Sequence, residues 1–299
     1  MSRKSIHGLI SSIMVTGKTS ITGVFGYPIE HTLSPAFQNA AFRALGLNWI
    51  YLPFKVHPNH IAEAVASIRS LGLQGVNVTI PHKQAVIPFL DELDKEAKLL
   101  GAVNTISNRK GKLKGYITDG KGFITSLIEE GKFNPKGSSV ILLGAGGSGY
   151  AIGSALAGYG VKSIKIFNRT YSRAQALYTH IKNTLSFSEV HILDKESFNS
   201  IELWQHSDLL INTTSVGMKP EDETLVPISL LRKISFVYDI VYNRTTPLIK
   251  AARAANIPCL NGISMLVYQG AASFEIWTGH SAPIPIMRQA VLKALRGEE

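Results

Sequence analysis

Ser139-Val140-Ile141-Leu142-Leu143-Gly144-Ala145-Gly146-Gly147-Ser148-Gly149-Tyr150-Ala151 is the stretch from which the fold is read. Four apolar residues run into a G-x-G-x-x-G, and small apolar residues at helical spacing follow, which is the pattern of strand, tight turn and helix. Gly144 allows the turn, Gly146 lets backbone approach a pyrophosphate, and Gly149 lets the helix sit close to its strand; phosphates then meet the free N–H groups of the helix N-terminus. Glycine clusters also make ordinary turns, and adenosyl-methionine sites likewise follow a first strand with a glycine-rich loop. The strand before and the helix after favour a dinucleotide, with Gly144, Ala145, Gly146, Gly147 and Ser148 as candidate contacts.

Downstream, strands are expected at 140–143, 163–167, 190–193, 209–212 and 236–240 with helices between, a doubly wound sheet. Upstream, strands at 21–26, 49–54 and 76–80 alternate with helices: one from Ser34-Pro35 as N-cap and first residue to a stop at Gly46, one at 57–71, and one running on to Leu100. This is read as a parallel α/β unit. Segments 103–107 and 113–117 flank a turn at 108–112, and helices at 263–278 and 283–295 close the chain with no strand after them. The expected architecture is a two-domain α/β protein. An extension at 1–20 precedes an N-terminal α/β substrate domain at 21–121, which is completed by 262–299; a Rossmann cofactor domain fills 122–261. The two last helices are expected to pack on the first domain.

The chain has 299 residues, 45% hydrophobic and 17% charged, enough for two domains with substantial cores. No apolar run approaches the roughly 20 residues of a membrane span, and no cleavage pattern follows the short apolar patch near the N-terminus, so a cytoplasmic protein is expected. One cysteine, Cys259, forbids an internal disulfide, and no paired His spacing suggests a metal. The net charge of +10 suits anionic ligands. The basic residues are scattered without an aromatic-rich basic segment, so small anionic metabolites are expected in place of nucleic acid.

The second strand of the cofactor domain ends at Asn168-Arg169-Thr170, with Arg173 close behind. An NAD site usually places an acid here to hold the ribose hydroxyls; arginines in its place favour the extra phosphate of NADP. In the first domain, Asn77-Val78-Thr79-Ile80-Pro81-His82-Lys83 puts polar side chains at alternate strand positions and ends at the carboxyl edge of the sheet, where such sheets bind ligands. Thr118-Asp119-Gly120 leads into the cofactor domain. A lysine after a strand is usually solvated and an aspartate before a helix usually caps it, but Lys83 and Asp119 are placed to meet across one cleft.

Beyond these, Gly26-Tyr27-Pro28-Ile29-Glu30-His31-Thr32-Leu33-Ser34-Pro35, the Asn77 to Lys83 segment, Gly101-Ala102-Val103-Asn104-Thr105, Thr118-Asp119, Gly144 to Gly147, Asn168-Arg169-Thr170, Ile211 to Met218, Asp239-Ile240-Val241-Tyr242-Asn243 and Asn261-Gly262 to Gln269 occur in this order. In these segments the chain resembles the shikimate dehydrogenase family, over nearly all its length after residue 20. The resemblance implies NADP-dependent interconversion of 3-dehydroshikimate and shikimate, on the route to chorismate and the aromatic amino acids. It implies that Thr32 and Ser34 bind the substrate carboxylate with Tyr242 nearby, and that Thr79, Asn104, Asp119 and Gln269 hold the ring hydroxyls. Lys83 would be the general acid and base, oriented by Asp119, while Ile240 and Gly262 approach the nicotinamide and Asn168, Arg169, Thr170 and Arg173 hold the adenosine phosphate.

Four positions depart from the family pattern: Thr32 for serine, Ile117 for asparagine, Arg244 for proline in a segment one residue short, and Ser264 for a glycine near the nicotinamide. Ile117 is expected either to enter the core or to alter the surroundings of Asp119, and Ser264 to crowd or bond the cofactor. A quinate or quinate/shikimate dehydrogenase and a nucleotide-sensing regulator without turnover are the alternatives; the sequence leaves monomer and homodimer both open.

Overall fold

The computed structural model describes residues 15–298. Of the extension expected at 1–20, residues 1–14 lie outside the described residues.

The chain opens with β1 (Ser20–Gly26), α1 (Ser34–Ala44), β2 (Trp49–Lys55), α2 (Ile61–Ser70) and β3 (Gly75–Val78). It continues through β4 (Glu92–Leu93), α3 (Lys95–Leu100), β5 (Thr105–Arg109) and β6 (Lys112–Tyr116). These strands form one sheet in the order β2-β1-β3-β5-β6-β4. The parallel unit expected from the sequence holds for β2, β1 and β3. The sheet as a whole is mixed, because β5 runs antiparallel to both β3 and β6. A two-residue turn at Lys110-Gly111, both at positive φ, joins β5 to β6.

Two further expectations need correction. The single helix read up to Leu100 is a run of turns, a short 3₁₀ segment (Ile87–Phe89), the edge strand β4 and the six-residue α3. Pro88 falls inside the stretch, and Asp94 caps α3 through its carboxylate, which accepts from Ala97 N at 2.7 Å and starts a new helix. Ser34 does not cap α1; that helix begins at Ser34 itself without a side-chain cap. Gly46 takes the left-handed conformation just past its end, as expected.

α4 (Asp119–Glu129) leads to the second sheet: β7 (Ser139–Leu143), α5 (Gly147–Tyr159), β8 (Ser163–Phe167), α6 (Tyr171–Thr179), β9 (Val190–Ile192), α7 (Lys195–Asn199), α8 (Ile201–Gln205) and β10 (Leu209–Asn212). Then come α9 (Ile228–Leu231), β11 (Phe236–Asp239), α10 (Pro247–Ala254) and β12 (Cys259–Asn261), a short sixth strand that the sequence did not announce. The order β12-β11-β10-β7-β8-β9 is all parallel and reverses direction between β7 and β10. That is the doubly wound arrangement, whose carboxyl edge at the reversal is where such sheets bind ligands. Its central strands β7, β10 and β11 are buried on both sides. Val140, Leu142, Ile164 and Ile166 face α4, α5 and α6, while Ile141, Leu143, Leu210 and Val237 face α8, α9 and α10.

α11 (Gly262–Thr278) and α12 (Ile284–Leu295) return to the first sheet. Ile263, Val267, Ala271, Phe274, Trp277, Met287 and Val291 are buried against Val24, Tyr51, Phe37 and Phe42. Trp277 also donates its indole N–H to Ile106 O at 3.0 Å, so its one polar atom is satisfied inside the core. Each sheet is therefore covered on both faces, and α11 lies between the two. Among the described residues no helix is long and apolar enough to cross a membrane.

Candidate active site

Lys83 sits on a turn fixed at three points. Its carbonyl accepts from Val103 N at 2.8 Å, Thr79 N donates to Phe25 O at 2.9 Å, and Tyr27 N donates to Ile80 O at 3.1 Å. The adjacent His82 is buried, with Nε2 2.8 Å from Val56 O. The turn is thus stitched to the ends of β1 and β2, and the Lys83 side chain is projected into the cleft between the sheets.

There it meets Asp119. Lys83 Nζ donates to Asp119 Oδ2 at 2.5 Å, and Asn104 Nδ2 donates to Oδ1 at 2.8 Å. Asp119 is the first residue of α4, yet its carboxylate is spent on these partners and caps nothing. Its side chain is 12% exposed and that of Lys83 29%, so the pair is shielded but open on one side.

The open side is a cavity of about 470 Å³. Thr32 from the loop before α1, Ser34 at the first position of α1, Thr79, Lys83, Asn104, Asp119, Tyr242 and Gln269 all line it. Every substrate-side residue expected from the sequence is brought together here. Burial pushes the Tyr242 phenol up from its ordinary range, so it stays protonated and able to donate. Hydroxyl donors, a neutral phenol and one ammonium around an apolar floor can hold a small carboxylic acid bearing ring hydroxyls. Ser148, Ile240 and Gly262 line the same cavity from the side of the second sheet.

A neighbouring cavity of about 600 Å³ opens beyond Ile80 and Lys83 and is bounded by Ala145, Gly146, Gly147 and Arg173. The backbone of the glycine loop has the turn at Gly144 and the close helix approach at Gly149 read from its sequence. Gly144 has φ +101°, and a Cβ there would lie 2.6 Å from Thr213 Oγ1. A Cβ on Gly149 would lie 2.5 Å from Gly144 O, whereas Gly146 and Gly147 have open space where their side chains would be. Nothing inside the protein demands glycine at 146 and 147; the space before them fits a ligand that backbone approaches closely, and α5 starts there without a side-chain cap. Ala145 is different, since its N–H donates to Asn168 Oδ1 at 3.1 Å. Asn168 in turn donates to Thr170 O at 2.8 Å, so it braces the loop, while the exposed side chains of Arg169 and Arg173 make no ion pair among the described residues.

Three family models match the chain: the shikimate dehydrogenase substrate binding domain over residues 24–106, shikimate / quinate 5-dehydrogenase over 127–216, and the shikimate 5'-dehydrogenase C-terminal domain over 262–292. The shikimate dehydrogenase (NADP(+)) of Methanopyrus kandleri is 46% identical over 290 residues, 95% of this chain and 99% of the relative. The chain belongs to the shikimate dehydrogenase family. The same enzyme of Desulforamulus reducens is 44% identical, covering 93% of this chain and 97% of the relative. A shikimate dehydrogenase solved in complex with NADP+ superposes with a TM-score of 0.87 at 38% identity, covering 94% of this chain and 98% of that one.

Within this shikimate dehydrogenase fold, two of the departures resolve. Ile117 is 4% exposed and packs in the core with Val103, Ile106 and Leu113, the first of the two outcomes expected for it. Ser264 is 1% exposed and turns away from the cavity, donating to Glu130 Oε2 at 2.7 Å and accepting from Arg288 Nη2 at 3.1 Å. The expected contact with the cofactor is replaced by a tie between α4, α11 and α12, which the Arg288–Glu130 ion pair closes. Gly262 is constrained instead by backbone, since a Cβ there would overlap Ile240 O.

Residue-by-residue reading missed the groups behind the cavity. Asn77 lines the cavity, Thr105 and Ser273 are buried beneath it, and Tyr51 OH donates to Asn77 Oδ1 at 2.7 Å. The alternation of Asn77 with Thr79 was the available signal. On the other sheet, Asn212, Asp239 and Thr246 form a buried cluster at the ends of β10 and β11, with Thr246 Oγ1 donating to Asp239 Oδ2 at 2.7 Å and Asn212 Nδ2 to Oδ1 at 3.0 Å.

Proposed function

We propose that this chain is an NADP-dependent shikimate dehydrogenase that reduces 3-dehydroshikimate to shikimate reversibly in the cytoplasm. The observation that carries the reading is the Lys83–Asp119 contact at 2.5 Å inside the cavity where Thr32, Ser34, Thr79, Asn104, Tyr242 and Gln269 converge. We assign residues 21–121 with 262–299 to the substrate domain and 122–261 to the cofactor domain.

The hydroxyls of Thr32 and Ser34 and the neutral phenol of Tyr242 donate to the substrate carboxylate. Thr79, Asn104, Asp119 and Gln269 hold the ring hydroxyls and place the ketone against Lys83. NADPH supplies the hydride when bound. As the ketone oxygen gains charge, the Lys83 ammonium gives it a proton, and the neutral amine takes a proton back from solvent; the reverse reaction uses that amine as base. Positioned proton transfer of this kind contributes about 10² to 10⁴ in rate. Asp119 holds the ammonium in place and retains its own charge. On the cofactor side, the N–H groups of Gly146, Gly147 and Ser148 face the pyrophosphate, Arg169 and Arg173 meet the ribose phosphate, and Ile240 and Gly262 border the nicotinamide.

The test is NADPH oxidation by the purified protein with 3-dehydroshikimate, run beside 3-dehydroquinate and beside NADH. Turnover with 3-dehydroshikimate and NADPH well above the other combinations is expected. Preference for 3-dehydroquinate would move the assignment to the quinate enzymes, and no turnover with either would favour a sensor.

A further inference from the structure

A single hydrogen-bonded line runs beneath the cavity floor and ends on Asp119, and its direction is fixed by chemistry at most of its steps. Asn104 Nδ2 faces the Asp119 carboxylate, which only accepts, while Asn104 Oδ1 faces Thr118 N at 2.9 Å, which only donates. The Asn104 amide therefore has one possible orientation. Asn77 Nδ2 lies 3.1 Å from Asn104 O, 3.0 Å from Thr105 Oγ1 and 2.9 Å from Ser273 Oγ, and the carbonyl among them fixes that amide as well. Asn77 Oδ1 is then an acceptor, so the Tyr51 phenol must donate to it. Thr105 Oγ1 accepts from Asn77 and lies 3.0 Å from Asn104 Oδ1 and 2.7 Å from Ser273 Oγ.

We propose that Tyr51, Asn77 and Thr105 form a positioning relay for the proton-transfer pair, each donating to the next toward Asp119. In this relay Thr105 gives its one proton to Asn104 Oδ1, so Ser273, whose hydroxyl also lies 3.1 Å from Gln269 O, donates to Thr105, and Asn104 presents its amide to Asp119 Oδ1, leaving Oδ2 to Lys83. All donors in the line point the same way, toward a negative charge, which is the arrangement in which hydrogen bonds in a weakly polar interior reinforce one another. Tyr51 is 1% exposed and Thr105 fully buried, so water does not compete with these bonds. Neither of these two side chains lines the cavity, although Asn77 between them does; they act by holding the Asp119 carboxylate, and through it the Lys83 ammonium, at one place. The inference rests on the roles proposed above for Lys83 and Asp119.

Thr105→Val keeps the shape of the side chain and removes both its donor and its acceptor. The expected result is a fall of about tenfold in kcat, the scale of one hydrogen bond to the catalytic carboxylate's neighbour, with KM for 3-dehydroshikimate and for NADPH within twofold of the parent. Thr105→Ser, which keeps the hydroxyl, should restore kcat to within about twofold of the parent. Tyr51→Phe, at the far end of the line, should lower kcat in the same direction and by less. The relay is overturned if Thr105→Val leaves kcat unchanged while its denaturation midpoint falls, if the loss lies in KM, or if Thr105→Ser is as impaired as Thr105→Val. Lys83→Ala measured alongside separates the two layers. Near-normal turnover in that variant overturns the proton-transfer reading and the relay together; loss there with an unaffected Thr105→Val overturns the relay alone.

Discussion

Lys83 is the one ammonium lining the cavity among the described residues, and Asp119 is its partner at 2.5 Å. Replacing Lys83 by alanine removes the proposed proton donor but none of the hydroxyls proposed to hold the substrate. Turnover should fall by at least about 10² with the substrate dissociation constant within a few fold, as read by steady-state rates and equilibrium binding. Asp239 gives a pH prediction. Burial pushes its carboxyl above its ordinary value of 3.8, against the pull of its bonds from Thr246, Val241 and Asn212. A carboxyl raised in the folded state favours folding most below the unfolded value, and that contribution is lost as pH rises through the folded value. Urea unfolding of Asp239→Asn over the range upward from pH 3.8 should therefore show a shallower decline of stability than the parent; identical slopes would count against it.

At the scale of elements, the turn from β8 to α6 is proposed to carry the cofactor preference. It presents Arg169 and Arg173 to solvent, without ion-pair partners among the described residues, beside a glycine loop that Asn168 holds in place. Charge-assisted bonds are worth roughly 1.5 to 3 kcal/mol each when well formed. Replacing both arginines by alanine should raise KM for NADPH by about two orders of magnitude and leave KM for NADH within a few fold; equal effects on both would defeat the assignment. Elements were legible in the sequence where pattern and local chemistry agreed. The apolar run of β7 and the glycines after it gave strand, turn and helix correctly. The stretch before Leu100 misled because its apolar residues, Ile87, Leu90 and Leu93, face the core from turns and an edge strand, and turns have no periodicity of their own. The three-residue β12 was too short to leave a pattern.

For the molecule as a whole, two sheets share one helix. α11 begins where Gly262 presses against Ile240 at the edge of the second sheet, and it ends with Trp277 in the core of the first. The Glu130, Ser264 and Arg288 cluster ties the same helix to α4 and α12, so the cleft walls are joined behind the site. The net charge of +10 acts at this scale too, drawing an anionic acid and an anionic cofactor toward one cleft. Raising ionic strength from about 50 to 500 mM, which shortens the screening length well below 10 Å, should raise KM for both while kcat stays within twofold. A kcat that falls in parallel would place the effect in the chemistry.

By itself the sequence determined the doubly wound fold and the glycine turn, and it named Lys83, Asp119, Thr32 and Ser34, which the fold brings to one cavity, because glycine constraints, strand edges and ordered motifs are local or carry across a family. It could not say that Asp119 declines to cap α4, that Ser264 turns from the cofactor to Glu130 and Arg288, or that Tyr51, Asn77, Thr105 and Asn104 form one line. Those outcomes depend on which donors and acceptors the folded chain brings within about 3 Å of each other. Only the tertiary structure decides that, since a buried polar side chain takes its role from its partners, and these come from distant parts of the chain.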